Sequence, residues 1–160
     1  MELLKEVKFI AVHHSQRSID SLKRIKNLHI KINGWEDIGY HYLIDKKGRL
    51  QKGRSKKFIG AHVFGHNKNS LGICLIGNFD KEKPTKKQIQ TLIKFLKDKI
   101  KKHKIPIKNI LGHREFWDAT NILDNITTSQ SSSREFLGVT KTCPGKFMDM
   151  DEIRKVLRHF

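Results

Sequence analysis

Nine histidines are more than a solvated surface needs. Six of them, His13, His14, His41, His62, His66 and His113, fall where the sequence reads as strand ends or loops, which is where functional groups gather on a rigid scaffold. A cysteine, Cys143, stands in KTCPG (141–145), where the Pro-Gly turn after it does not read as core. Two imidazoles and one thiolate make an open zinc site, with the fourth position left for water or substrate. Any single histidine of this set has an ordinary structural or solvated alternative. Spacing alone does not say which two would join the cysteine, because no Cys-x-x-Cys or His-Glu-x-x-His motif fixes a metal locally.

The elements that must position these groups alternate between strand and helix. VKFIAVHHS (7–15) begins as a β-branched apolar run and predicts a buried strand ending at His13-His14. Leu22, Ile25, Leu28 and Ile32 recur at helical spacing, with Gly34 as the stop. GYHYLIDKKGRLQKG predicts a hairpin with a Lys-Gly turn, and SLGICLIGNF, the most apolar segment, predicts a central strand. PTKKQIQTLIKFLKDKIKKH is the clearest helix: Thr85 caps it, Gln88 completes a capping box, and Ile89, Leu92, Ile93, Leu96 and Ile100 form one stripe. KNILGHRE predicts a short strand delivering His113 to a loop. DMDEIRKVLRHF predicts a last helix, capped at Asp149 with Glu152 in the capping-box position. The pattern is that of a single α/β domain over 1–160, a central mixed β-sheet covered by helices. A Thr/Ser/Gln-rich stretch within 117–140 predicts a loop insertion. His29, His103 and His159 lie on lysine-rich helices and are expected at the surface.

At 160 residues the chain is long enough to bury roughly 70% of its unfolded surface without disulfide staples. Two cysteines are too few for a disulfide framework; Cys74 reads as a small core residue, and a Cys74–Cys143 bridge is the lesser alternative. No apolar run approaches the ~20 residues of a membrane span, and MELLKEVKFIAV lacks a signal-peptide pattern, so the expected place of synthesis and residence is the cytoplasm. A net charge of +17 favours polyanions such as nucleic acid, anionic lipid or anionic wall polymers. The lysines are scattered, however, and aromatics make up only 8%, so specific nucleic-acid binding is not expected.

Seven blocks, FIAVHHS, GWEDIGYHYLIDKKGRLQKGR, IGAH, HNKNSLGICLIGNFD, PTKKQIQTL, GHRE and KTCPG, occur in one order, and together the chain resembles the zinc-dependent N-acetylmuramoyl-L-alanine amidases. That family includes phage amidases and the peptidoglycan-recognition proteins, and the resemblance covers about 7–116 and 141–160. It implies one zinc per chain, held by His13, His113 and Cys143. It further implies catalytic roles for Tyr40 and Lys141, and a groove-lining, substrate-binding place for His62 and Trp35. His14, beside a ligand, would act behind it. Binding-only relatives typically lose the cysteine, and its presence here implies an active enzyme.

The expected function is therefore hydrolysis of the amide between N-acetylmuramic acid and L-alanine in peptidoglycan, by a phage or prophage endolysin. A monomer is expected. The alternatives are a cytoplasmic muropeptide-recycling amidase, or a non-catalytic module that binds peptidoglycan or a polymerase.

Overall fold

The computed structural model describes residues 1–116 and 142–159. Its centre is a five-stranded sheet in the order β3-β2-β4-β1-β5. The strands are β1 (Phe9–His14), β2 (Tyr42–Ile44), β3 (Leu50–Lys52), β4 (Ser70–Leu75) and β5 (Ile110–Gly112). β1 runs parallel to β4 and β5, β2 runs parallel to β4, and only β3 is antiparallel, so the sheet is mixed as expected. The SLGICLIG strand lies in the middle of the order, flanked on both sides, and every residue of it is buried. β2 and β3 form the expected hairpin. Its turn is tied by Asp45 Oδ1, which accepts from the Lys47 and Arg49 amides at 2.9 Å each.

Strand alternation divides the buried side chains between two faces. One face carries Ile10, Val12, Ile44, Ile73, Leu75 and Ile110, and it packs against helices α2 (Lys86–His103) and α3 (Met150–Arg158) through Leu92, Phe95, Leu96, Ile153 and Leu157. The opposite face carries Ala11, His13, Gly72, Cys74 and Leu43 in adjacent registers. There the cover is thinner: a cluster around Ile25, Ile38 and Ile76 on one side, and Val63, Leu111 and Phe116 on the other.

One expectation from helical spacing needs correction. Helix α1 (Leu22–Asn27) buries Ile25 as expected, but Leu28 is 48% and Ile32 75% exposed. The reason is a π-helical turn over Leu28–Ile32, whose closing bond runs from the Asn33 amide five residues back to the Leu28 carbonyl at 3.1 Å. The wider turn carries Ile32 off the buried face, and that face runs instead through His29, four residues after Ile25 and expected at the surface. His103 is half-buried and His159 exposed.

Gln88 caps as expected and does more. Thr85 Oγ1 accepts from the Gln88 amide at 3.1 Å and Gln88 Oε1 accepts from the Thr85 amide at 3.0 Å, which is the capping box the sequence predicts. The same amide group is fully buried, and its Nε2 donates to the carbonyls of Ile76 at 2.9 Å and Ile44 at 3.4 Å, at the ends of β4 and β2. Helix α2 is thus pinned to the sheet by a polar contact inside an apolar interface. Gln88→Leu should lower unfolding free energy by about 1–3 kcal/mol, because buried groups are left without partners. Urea denaturation reads this directly, and a stability equal to wild type would show the contact to be dispensable.

Candidate metal centre

The three proposed donors come from three separate parts of the chain. His13 is the penultimate residue of β1, His113 follows β5 directly, and Cys143 lies in the turn before α3. Their ligand atoms all lie within 4.8 Å of one another. Cys143 Sγ is 3.7 Å from His13 Nδ1, and the rings of His13 and His113 meet edge to face at 4.7 Å. Sulfur and nitrogen donors at ~2.3 and ~2.0 Å from a tetrahedral zinc would stand about 3.6 Å apart, so the observed spacing suits such an ion. Burial holds the His13 imidazole well below its ordinary pKa, with His113 and His62 adding to the effect, and burial lowers His113 to about 4. Both rings are therefore neutral at neutral pH and offer lone pairs. His113 Nε2 is buried with no hydrogen-bond partner, as expected of a nitrogen reserved for a ligand.

The position of Cys143 follows from the sheet. β5 pairs with β1 only as far as Val12, so β1 outruns it. The next β1 amide, that of His14, hydrogen-bonds the Cys143 sulfur instead. Burial pushes the Cys143 thiol up to about 12, opposed by that amide and by Arg114. Arg114 clamps the whole turn. Its own amide donates to the Cys143 carbonyl at 2.8 Å, and its guanidinium donates to the carbonyls of Thr142, Gly145 and Met148 at 2.9–3.1 Å. Asp80 closes the other side, accepting from Thr142 Oγ1 and the Lys146 amide at 3.0 Å each. Gly145 must be glycine: at φ +102° a side chain is strained, and a Cβ would fall 2.5 Å from the Phe79 backbone. Glu115 anchors the segment bearing His113, accepting from the Gly112 amide at 2.6 Å and from Arg154 of α3 at 2.8 and 2.9 Å.

Around the donors the structure gathers some of the sequence candidates and sends others elsewhere. Tyr40 packs against His13 with ring centroids 5.1 Å apart. Burial pushes its phenol well above the ordinary value, helped by Cys74, whose sulfur accepts the hydroxyl hydrogen bond. Cys74 is buried in the core, as expected, yet it faces the site, and both cysteines are free thiols. His62 lies 3.2 Å from His13, nitrogen to nitrogen. Trp35 stands further out, in a row of rings that runs from Trp35 to His29 (4.7 Å), Tyr40 (5.6 Å) and His13. Lys141 lies outside the described residues, as does the 117–140 insertion.

Three histidines serve the scaffold. The side chain of His14 alternates to the face opposite His13, where Nδ1 accepts from the Phe79 amide at 3.1 Å; its contribution behind the site is its backbone amide. His41 accepts from the Gly72 amide at Nδ1 and faces the Phe58 carbonyl at Nε2, 3.0 Å each, and burial lowers its pKa to about 4 against the opposing pull of that carbonyl. His66 packs between Phe9 and Phe116. Two contributors were missed in the sequence. His29 holds the Tyr40 segment by accepting from the Gly39 amide at 3.0 Å, and its place four residues after Ile25 could have pointed to it. Arg114 could have been suspected from its place beside His113 in GHRE.

Comparison with known proteins agrees with this geometry. The family model described as N-acetylmuramoyl-L-alanine amidase matches residues 3–146. Peptidoglycan-recognition protein SC2 of Drosophila simulans is 32% identical over 139 residues, 79% of this chain and 76% of that protein. The endolysin of Escherichia phage T7 is 41% identical over 59 residues, 37% of this chain and 38% of that one. Among solved structures, the N-acetylmuramoyl-L-alanine amidase LysC from Clostridium intestinale URNW superposes with a TM-score of 0.75 at 27% identity, covering 96% of this chain and 86% of that one.

The Arg114 clamp makes a prediction that needs no metal. Removing charged hydrogen bonds of about 1.5–3 kcal/mol each should free the turn. In metal-free Arg114→Ala, Cys143 should react with a thiol reagent about tenfold or more faster than in wild type, while Cys74 keeps its rate. Equal Cys143 rates in the two proteins would show that Asp80 and the turn itself suffice.

Proposed function

Because the chain belongs to the N-acetylmuramoyl-L-alanine amidase family, we propose that it is a zinc-dependent hydrolase of the amide between N-acetylmuramic acid and L-alanine. The observation that carries this reading is the convergence of His13, His113 and Cys143, three neutral or thiol donors with their ligand atoms within 4.8 Å. Zinc, when bound there, would polarise the scissile carbonyl and lower the pKa of a water molecule toward ~7. Water adds to the carbonyl carbon, the C–N bond breaks, and the products are the lactyl carboxylate and the free amine of L-alanine.

The chain's own residues supply the rest. Tyr40 keeps its proton across the working pH range, since its phenol is held well above the ordinary value. It is therefore a hydrogen-bond donor beside the metal ligands, and turning its proton from the Cys74 sulfur to the substrate would serve the developing negative charge on the carbonyl oxygen or the leaving nitrogen. Lys141, two residues before Cys143, is assigned to the same oxyanion as a fixed positive charge. Trp35 and His62 are assigned to the groove along which the glycan and stem peptide lie.

The endolysin role is favoured over muropeptide recycling by the segment shared with the phage endolysin and by the +17 charge, which suits a wall bearing anionic polymers. On this reading a monomeric enzyme is made in the cytoplasm and meets its substrate after release. The recognition-protein relatives favour a second reading, a module that binds peptidoglycan without cutting it. Digestion of purified wall separates the two. The hydrolase should release new L-alanine amino groups without new reducing sugar ends, and Cys143→Ala should lose both zinc and activity. Wall bound but left intact by zinc-loaded protein would establish the binding module.

Tyr40→Phe and Lys141→Ala should keep zinc and melting temperature while losing about 10²–10³ in kcat, the usual cost of one lost transition-state donor. Near-native turnover in both would remove these residues from the mechanism.

A further inference from the structure

His13 uses its two ring nitrogens in opposite directions. Nδ1 faces Cys143 Sγ at 3.7 Å, inside the donor cluster, and Nε2 lies 3.2 Å from His62 Nδ1, away from it. An imidazole that gives its Nδ1 lone pair to a metal carries its proton on Nε2, and that proton requires an acceptor. Metal-bound histidines commonly find theirs in a carboxylate or a backbone carbonyl. Among the described residues neither occupies that place, and the group in reach is another histidine.

His62 can accept only if its own proton sits on Nε2. That atom is buried and has no hydrogen-bond partner among the described residues, so nothing there requires it to give up the proton. The remaining neighbour, His41, meets His62 edge to face at 5.5 Å, and both its nitrogens are committed, to the Gly72 amide and the Phe58 carbonyl. It does not compete for Nδ1 of His62.

The ring is held in this orientation by its surroundings. It lies over the sheet where Ala11 pairs with Gly72, the shallowest place on that face. A Cβ at Gly72 would come 2.6 Å from the His62 ring, and one at Gly60 would come 2.4 Å from it. Asn67 Oδ1 accepts from the backbone amides of His62 and Val63 at 2.8 and 2.9 Å, which fixes the segment that carries the ring. Two glycines and an asparagine thus build a slot for one imidazole.

We propose that His62 is a positioning residue for the metal ligand His13: it accepts the Nε2–H of His13 and so presents Nδ1 to the metal. The proposal rests on the zinc reading above, and it goes beyond the groove contact assigned to His62 there. A residue that only contacts substrate would change KM and leave metal affinity alone.

The full chain, stripped of metal, is titrated with zinc against a chromophoric chelator as wild type, His62→Leu and His62→Asn. His62→Leu should weaken zinc binding about 10–100-fold, the usual effect of losing a partner behind a metal ligand. His62→Asn, whose Oδ1 can stand where Nδ1 stood, should recover most of it. Nitrogen-15 NMR of zinc-loaded wild type should find the protons of both His13 and His62 on Nε2, a readout that stands even if His62→Leu does not fold. Equal zinc affinity in wild type and a folded His62→Leu, or a proton on Nδ1 of His13, would overturn the proposal while leaving the amidase reading intact. Failure of wild type itself to bind zinc would instead overturn the amidase reading on which it rests.

Discussion

The parallel pairing of β1 with β4 decides where the site groups stand. His13 and His14 are adjacent in sequence, and the pleat sends them to opposite faces. A slip of one residue in this register would put His14 over the site and His13 into the helix-covered core. The register is guarded from both sides: Ile10 and Val12 are fully buried against α2 and α3, while Ala11 and Gly72 leave the other face shallow enough for an imidazole to lie upon it. The same pairing sets the length by which β1 outruns β5, and hence the free amide that meets Cys143.

Electrostatics at the site follow from this burial more than from charge pairing. The chain is strongly basic, yet the imidazoles nearest the donors are neutral because enclosure disfavours their charged forms. Arg114 and Arg154 stand close by but are turned to carbonyls and to Glu115, holding the backbone of the donor segments. Positive charge here is used for geometry, and the lone pairs are left for the metal.

Much of this was legible in the chain. The strands ending at His14 and Leu75, the capped helix from Lys86, and the short strand delivering His113 were plain because apolar period and capping residues agreed. The donor trio was legible only by resemblance, since its members are far apart and no local motif joins them. What stayed hidden depended on departures from regular period or on tertiary contacts. His29 faces the interior from a lysine-rich helix to meet the Gly39 amide, and a helix-cap glutamine turned out to reach two strand carbonyls. The contact between His62 and His13 was hidden too, since it depends on the room that Gly60 and Gly72 leave for the ring.

The separation of the donors also bears on the order in which the molecule is made. His13 and Cys143 are 130 residues apart, and His113 comes from a third element. An extended chain offers no short chelating motif, so these three ligands cannot gather on one ion until β1 has found both β4 and β5 and the Arg114 turn has closed. Such distant contacts form late and slowly compared with helices and hairpins. Metal capture by this trio is thereby deferred to the completed fold, and a nascent or partly folded chain cannot sequester the ion through it in a wrong arrangement.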